Sequence, residues 1–329
     1  MSLPSFFYSQ LFVEPKLPDY DFSGQTVVVT GGNRGLGLET ARHLLRMNAS
    51  RVILAVRNLE SGKEAAKDLE ASTGRTGTVE VHELDMLRHE SVQSFASEME
   101  ALDRIDAVIL NAGIFTQDLI IADGYESSLT TNCINTFFLA LLLVPILRRS
   151  ATALNILPRI VIVSSDRHVM TNLPEWKQDH PFEVLSDPKK AKMDERYYES
   201  KLIQVLLTKA MAKRMTGSQE VVLNSLTPGY THSGLCQNLH TVYYYAFKLL
   251  AKATARKTEV GARTLVSAAA GGKETHGEYM NDGVVDVTAL SPFVRSEDGT
   301  KASEKLWFEL LNILEQWQPN IKSILGTSS

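Results

Sequence analysis

The stretch Thr26-Val-Val-Val-Thr30-Gly31-Gly32-Asn33-Arg34-Gly35-Leu36-Gly37 decides the reading of the fold. It opens on an unbroken apolar strand and runs into a glycine-rich turn. A helix follows from Leu38 to Met47, with Leu38, Ala41, Leu44 and Leu45 on one face at helical spacing. Glycines between a strand and a helix let the backbone turn tightly and approach a pyrophosphate seated on the helix N-terminus. Gly31, Asn33, Arg34, Gly35, Leu36 and Gly37 are therefore candidate dinucleotide-binding residues.

Downstream, the alternation repeats. Arg51 to Val56, Thr78 to Leu84, Ile105 to Leu110, Arg159 to Val163 and Val221 to Leu226 read as strands. Helices are expected around Ser61 to Ala71, at Val92-Phe95-Met99-Leu102, over Leu129 to Leu147, and from near Tyr197 to about Met215. Continuous apolar strands alternating with helices predict a parallel sheet covered on both faces. The fold class expected is α/β: a doubly wound Rossmann fold of about seven parallel strands in a single domain. The boundaries expected are an N-terminal arm (1–22), a catalytic domain (23–283) with an insertion (166–196) and a substrate-covering segment (230–258), and a C-terminal tail (284–329).

Composition narrows the class of function. The 329 residues are 44% hydrophobic and 22% charged, which excludes wholesale disorder. A net charge of -4 with no basic block speaks against nucleic-acid binding. Two cysteines, Cys133 and Cys236, make neither a disulfide framework nor a Cys-rich zinc site, and they fit a cytoplasmic home. Met1 to Val13 lacks a basic n-region and a small-residue cleavage site. The apolar run Thr136 to Leu147 contains Pro145 and is too short for an integral membrane segment, which needs about 20 residues. His168 and His180 have no companion at metal spacing and read as ordinary polar residues.

The second strand ends in Ala55-Val-Arg-Asn58. An acidic residue there would bind the ribose 2′-hydroxyl of NAD, and none is present. Arg57 and Arg34 could instead clamp a 2′-phosphate, so NADP(H) is the cofactor expected. The catalytic candidate is Tyr197-Tyr-Glu-Ser-Lys201, with Tyr197 and Lys201 at i and i+4 on one helix face. A neighbouring ammonium favours the phenolate and makes Tyr197 a usable general acid/base. Tyr198 is a rival without a lysine partner, since Leu202 stands four residues on. By itself such a pair also fits a solvated helix face.

Together these residues resemble the short-chain dehydrogenase/reductases. The resemblance covers roughly residues 24–283. It rests on Thr30-Gly-x-x-x-Gly-x-Gly37, Asn111-Ala112-Gly113, Ser164-Ser165, Tyr197-x-x-x-Lys201 and Pro228-Gly229, all in family order. Ala55-Val-Arg-Asn58 and Gly277-Glu-Tyr-Met280 look like the retinol-dehydrogenase branch. The N-terminal arm and the insertion look like fungal reductases of secondary-metabolite biosynthesis.

What the resemblance implies can be placed residue by residue. Tyr197 would pass the proton, and Lys201 would lower its pKa and hold the nicotinamide ribose. Ser165, preferred to Ser164, would polarise the substrate carbonyl. Asn132 would support a water-linked proton relay. Asp85 would contact the adenine amine and Asn111 would hold the adenine side of the sheet. Asn224, Pro228, Gly229 and Thr231 would line the nicotinamide side. The insertion reads as a rim or lid over the substrate cleft. Leu235 to Leu250, rich in aromatic residues, suits a lipophilic substrate, and Lys248, Lys252, Arg256 and Lys257 leave a shallow membrane contact open. Homodimers or homotetramers are common in the family. The activity expected is reduction of a ketone or aldehyde, a ketoreductase reaction. Alcohol oxidation on a retinoid- or steroid-like substrate, and non-catalytic nicotinamide sensing, are the alternatives.

Overall fold

The computed structural model describes residues 3–215, 221–231, 252 and 254–325. Most of the substrate-covering segment expected between 230 and 258 lies outside the described residues, as do Cys236 and residues 326–329.

A fully buried apolar strand needs cover on two sides, and the structure supplies it. Strand β1 (Thr26–Thr30) pairs in parallel with β2 (Arg51–Val56) and β4 (Ala107–Leu110). Outward from β2 lies β3 (Val79–Glu83). Outward from β4 lie β7 (Arg159–Val163), β8 (Val222–Leu226) and β9 (Tyr279–Asn281), again all parallel. A short antiparallel strand, β10 (Val284–Val285), closes that edge, giving an eight-stranded sheet in the order β10-β9-β8-β7-β4-β1-β2-β3. β5 (Ile121–Ala122) and β6 (Tyr125–Glu126) form a separate small hairpin. The seven parallel strands match the expectation. β3 alone alternates, as Val-Glu-Val-His-Glu, because it is an edge strand only half covered.

Side-chain alternation splits the core in two. Val28, Ile53, Val108 and Ile160 face a layer built from α4 (His89–Glu100), α5 (Ser127–Leu154), α7 (Met193–Arg214) and α9 (Glu297–Trp317). Val27, Val29, Leu54 and Val161 face the other layer: α2 (Gly35–Arg46), α3 (Leu59–Thr73) and α8 (Thr258–Ala270). α5 is apolar and long enough by length to cross a bilayer, but most of it is buried in the first layer. It includes a π-helical turn at Thr130–Ile134.

Two appended segments behave differently from expectation. The insertion 166–196 contributes no residue to the large cleft described below. Leu173, Phe182 and Leu185 turn inward, and α6 (Pro181–Ser186) packs on α9 and the β5–β6 hairpin. Arg196 at the start of α7 donates to the Leu185 carbonyl and ties the insertion to that helix. The segment thus buttresses α7 and α9. The segment expected as a C-terminal tail contains α9, which lies against α7 with Leu306, Trp307, Leu310 and Leu314 buried. At the other end, α1 (Leu3–Phe12) docks beside the loop after β8. The Gln10 carboxamide donates to the Tyr230 carbonyl (2.6 Å) and accepts from the Tyr230 N–H (3.1 Å).

Candidate active site

The glycine turn is shaped by backbone geometry. Gly31 has φ +66, a left-handed conformation that L side chains avoid. At Gly37 a Cβ would lie 2.5 Å from the Gly31 carbonyl oxygen and 2.8 Å from Asn111 Nδ2, so α2 starts hard against the turn. Thr30 Oγ1 accepts from the backbone N–H groups of Asn111 (3.0 Å) and Ala112 (2.9 Å), and Asn111 Nδ2 donates to the Thr30 carbonyl (2.9 Å). The Asn-Ala-Gly segment is thereby bolted to the end of β1. Arg34 occupies the N-cap of α2 and makes no side-chain cap hydrogen bond there.

A cleft of about 650 Å³ runs across the carboxyl ends of the strands. Of the residues singled out in the sequence, Gly31, Asn33, Arg34, Gly35, Leu36, Arg57, Asp85, Asn111, Ala112, Gly113, Tyr197, Lys201 and Pro228 all line it. At one end stand Arg34 and Arg57, both exposed, with Asn58 and Ser61 beside them. Asn58 caps α3 by accepting from the Ser61 N–H (2.9 Å), and Asn33 Nδ2 donates to Ser61 Oγ (2.9 Å). Ala55 to Asn58 line the same end and include no carboxylate. Asp85 Oδ1 accepts from the Leu87 N–H (3.1 Å).

At the other end α7 presents Tyr197 and Lys201. The Tyr197 ring stacks on Phe115 with centroids 4.4 Å apart, and Lys201 Nζ lies 5.7 Å from the Tyr197 ring centroid. Lys201 Nζ donates to the Val163 carbonyl (2.9 Å) and to Gln204 Oε1 (2.9 Å). Burial pushes this lysine down to about 8. At neutral pH it still carries its proton, so a cation stands beside the phenol in a site of low polarity.

Asn132 lies behind the lining, in the π turn of α5. Its Oδ1 accepts from the Ile114 N–H (2.9 Å), and its Nδ2 donates to the Ile114 carbonyl (3.0 Å) and Ser200 Oγ (3.0 Å). Ser164 reaches the cleft and Ser165 does not. Ser164 Oγ is committed to the Lys201 carbonyl (3.0 Å). Ser165 Oγ donates to Asp166 Oδ1 (3.0 Å) and accepts from the Arg167 N–H (3.2 Å). Gly229 and Thr231 also stand outside the lining, Thr231 packing against Gly261 of α8. Asn224 is buried in β8 and donates to the Ala268 carbonyl (3.0 Å), tying sheet to helix, which corrects its placement on the nicotinamide side.

Sequence reasoning missed Asn58, Ser61 and Phe115. The Asn-x-x-Ser spacing at the start of α3 was a legible capping signal for the first two. Phe115 left no signal, because its stacking on Tyr197 joins two distant segments.

A family model for short chain dehydrogenases matches residues 25–173. The chain is 57% identical over 331 residues to short-chain dehydrogenase anuD of Penicillium roqueforti, spanning 99% of this chain and 87% of that one. It is 38% identical over 325 residues to short chain dehydrogenase/reductase dmxR8 of a Cryptosporiopsis species, spanning 97% and 99%. Among solved structures, a short-chain type dehydrogenase/reductase from Mycobacterium marinum superposes with a TM-score of 0.62 at 20% identity, over 88% of this chain and 100% of that one. The Pseudomonas aeruginosa RhlG/NADP active-site complex gives 0.62 at 22%, over 84% and 100%. At such identities these two likenesses speak for the fold. Sheet, cleft and relatives define an oxidoreductase built to bind a nicotinamide cofactor. The chain belongs to the short-chain dehydrogenase/reductase family.

Proposed function

We propose that the protein is an NADP(H)-dependent reductase of a ketone or aldehyde on a lipophilic small molecule, of the kind found in fungal secondary metabolism. The observation that carries this reading is that one cleft brings together the glycine turn, the Arg34–Arg57 pair and the Tyr197–Lys201 pair. The residues fit such a cofactor. The glycine turn is open to the cleft at Gly35, where a Cβ would meet nothing within 4 Å, and the Arg57 guanidinium stands at the end of β2, where an NAD-binding acid would otherwise be, with Arg34 in the same lining. Arg34 and Arg57 would hold the 2′-phosphate. Gly31, Asn33, Gly35, Leu36 and Gly37 would receive the pyrophosphate, Asp85 and Asn111 to Gly113 the adenosine side, and Pro228 the nicotinamide side, with Gly229 and Thr231 shaping the turn behind it. Bound there, the cofactor would supply a hydride to the substrate carbonyl carbon.

The chain's own groups manage the proton. Tyr197 would give its phenolic proton to the substrate oxygen as charge develops there. Lys201 makes that transfer accessible near neutral pH by favouring the phenolate. The Ser165 hydroxyl would turn from Asp166 to donate to the same oxygen. Asn132 holds the loop at Ile114 that borders the cleft.

Oxidation of NADPH against a panel of lipophilic ketones and aldehydes tests the reading. The Tyr197→Phe protein should lose about 10²–10⁴-fold in turnover while still binding NADPH. Full turnover by that variant would sink the assignment. Equal or greater thermal stabilisation by NADH than by NADPH would overturn the cofactor preference. A ligand at ~100 times its Kd adds about 2.7 kcal/mol, so the comparison is easily resolved.

A further inference from the structure

Lys201 has a side-chain partner whose second bond reaches another helix. Gln204 follows it by three residues on α7 and is 1% exposed. Gln204 Oε1 accepts from Lys201 Nζ (2.9 Å), and Gln204 Nε2 donates to the main-chain carbonyl of Asn132 (2.7 Å). That carbonyl belongs to the π turn of α5, where the helical register is interrupted. The Asn132 side chain is engaged with Ile114 and Ser200, so only its backbone meets Gln204. One carboxamide thus spans the gap between the ammonium and the helix that faces it.

We propose that Gln204 is a positioning residue of this active site, its carboxamide bridging the Lys201 ammonium to the Asn132 carbonyl and so setting how firmly that lysine keeps its proton. The proposal rests on the reading of Tyr197 and Lys201 as the proton-handling pair. Three physical points support it. An ammonium has three donors, and two are fixed here by Val163 and Gln204. The ammonium therefore has a defined direction while its residue lines the cleft. A carbonyl acceptor favours the charged form, opposing the burial that pushes Lys201 down. The Nε2 bond prevents the carboxamide from rotating, so the correct oxygen always faces the lysine.

The surroundings leave this contact decisive. From α5 the titratable group facing Lys201 is Cys133, whose thiol burial pushes far up, so it stays neutral. From α7 itself it is Tyr197. β7 presents the Val163 carbonyl and the loop after β4 presents Gly113. None of these four groups brings a carboxylate to the ammonium.

The test is a titration of Lys201 in the full-length protein labelled with [ε-¹³C]lysine, its signal assigned by its loss in Lys201→Met. Gln204→Leu removes the acceptor and should move the midpoint down by half a pH unit or more. Gln204→Glu places a carboxylate there and should move it up. The alkaline limb of the pH profile for NADPH-dependent reduction should follow in the same two directions. An unchanged midpoint in both variants, or a changed melting temperature alone, overturns the proposal. Should Gln204→Leu not fold, Gln204→Glu still decides by the sign of its shift. The titration needs no substrate. Shifted midpoints with no carbonyl reduction by any of the proteins would support the role of Gln204 in holding Lys201 and overturn the reductase reading instead.

Discussion

Arg196 precedes Tyr197 on α7 and is fully buried between two carboxylates. Its Nη1 lies 2.6 Å from Glu199 Oε2, and its Nε is 3.3 Å from Glu126 Oε2, a charge contact without an aligned hydrogen bond. One guanidinium cannot neutralise two buried acids. Burial pushes Glu199 up to about 7, although Arg196 pulls the other way. A carboxyl raised in the folded state gives stability that is full below its unfolded value near 4.5 and is lost as pH rises through about 7. Glu199→Gln should therefore gain stability relative to the parent between pH 5 and pH 8, by about 1–3 kcal/mol. Urea unfolding of both proteins at the two pH values measures this, and an unchanged difference contradicts it. Arg57 supports a second expectation. Arg57→Ala should weaken NADPH about tenfold or more and leave NADH nearly untouched, read by fluorescence titration. At this scale the sequence was legible where chemistry follows local spacing, as for Tyr197 and Lys201. Gln204 was not, because its second partner is a carbonyl on α5 that no spacing reveals.

The loop after β7 shows how elements position the serine. His168 is buried, its Nδ1 2.8 Å from the Ser165 carbonyl and its Nε2 3.2 Å from the Ser291 N–H. Nε2 must accept from that N–H, which assigns the proton to Nδ1. Burial pushes His168 down to about 4, so the ring is neutral in the folded protein at ordinary pH. A group with a depressed folded value gives stability that is full above its unfolded value near 6.5 and fades as pH falls toward about 4. His168→Ala should accordingly cost about 1–3 kcal/mol at pH 7 and distinctly less at pH 5. Denaturant curves at the two pH values check it, and a cost independent of pH would show that the neutral ring is not what is lost. Turnover should also fall more than substrate affinity, because Ser165 loses its support. The sequence read this region as a polar excursion over the cleft. The inward turn of Leu173, Phe182 and Leu185 makes it a buttress instead, and only contacts with α9 and the β5–β6 hairpin decide which way those side chains face.

Across the whole molecule, the parallel sheet was legible because its inner strands are buried on both faces and so read as unbroken apolar runs. The C-terminal part was read as a tail because it lies beyond the family's motifs. Yet Ala302, Leu306, Leu310 and Leu314 recur at helical spacing, and all are buried in α9. Ser303 Oγ donates to the Leu206 carbonyl (2.7 Å), fastening this helix to the one that presents Tyr197 and Lys201. The helix that carries Tyr197 and Lys201 is therefore held by residues about a hundred positions downstream. Two neighbours on α9 separate packing from mere presence. Trp307 is buried, whereas Phe308 is 58% exposed, and the Arg214 guanidinium lies over both rings. Trp307→Ala should cost about 3–5 kcal/mol, the range for removing a large buried aromatic side chain. Phe308→Ala should cost less than about 1 kcal/mol, the value of an exposed contact with a cation. Urea unfolding followed by far-ultraviolet circular dichroism measures both. If the first cost is the larger, NADPH binding should weaken with it as α7 loses its support. Equal costs would mean that α9 does not hold α7 in the way its buried face requires.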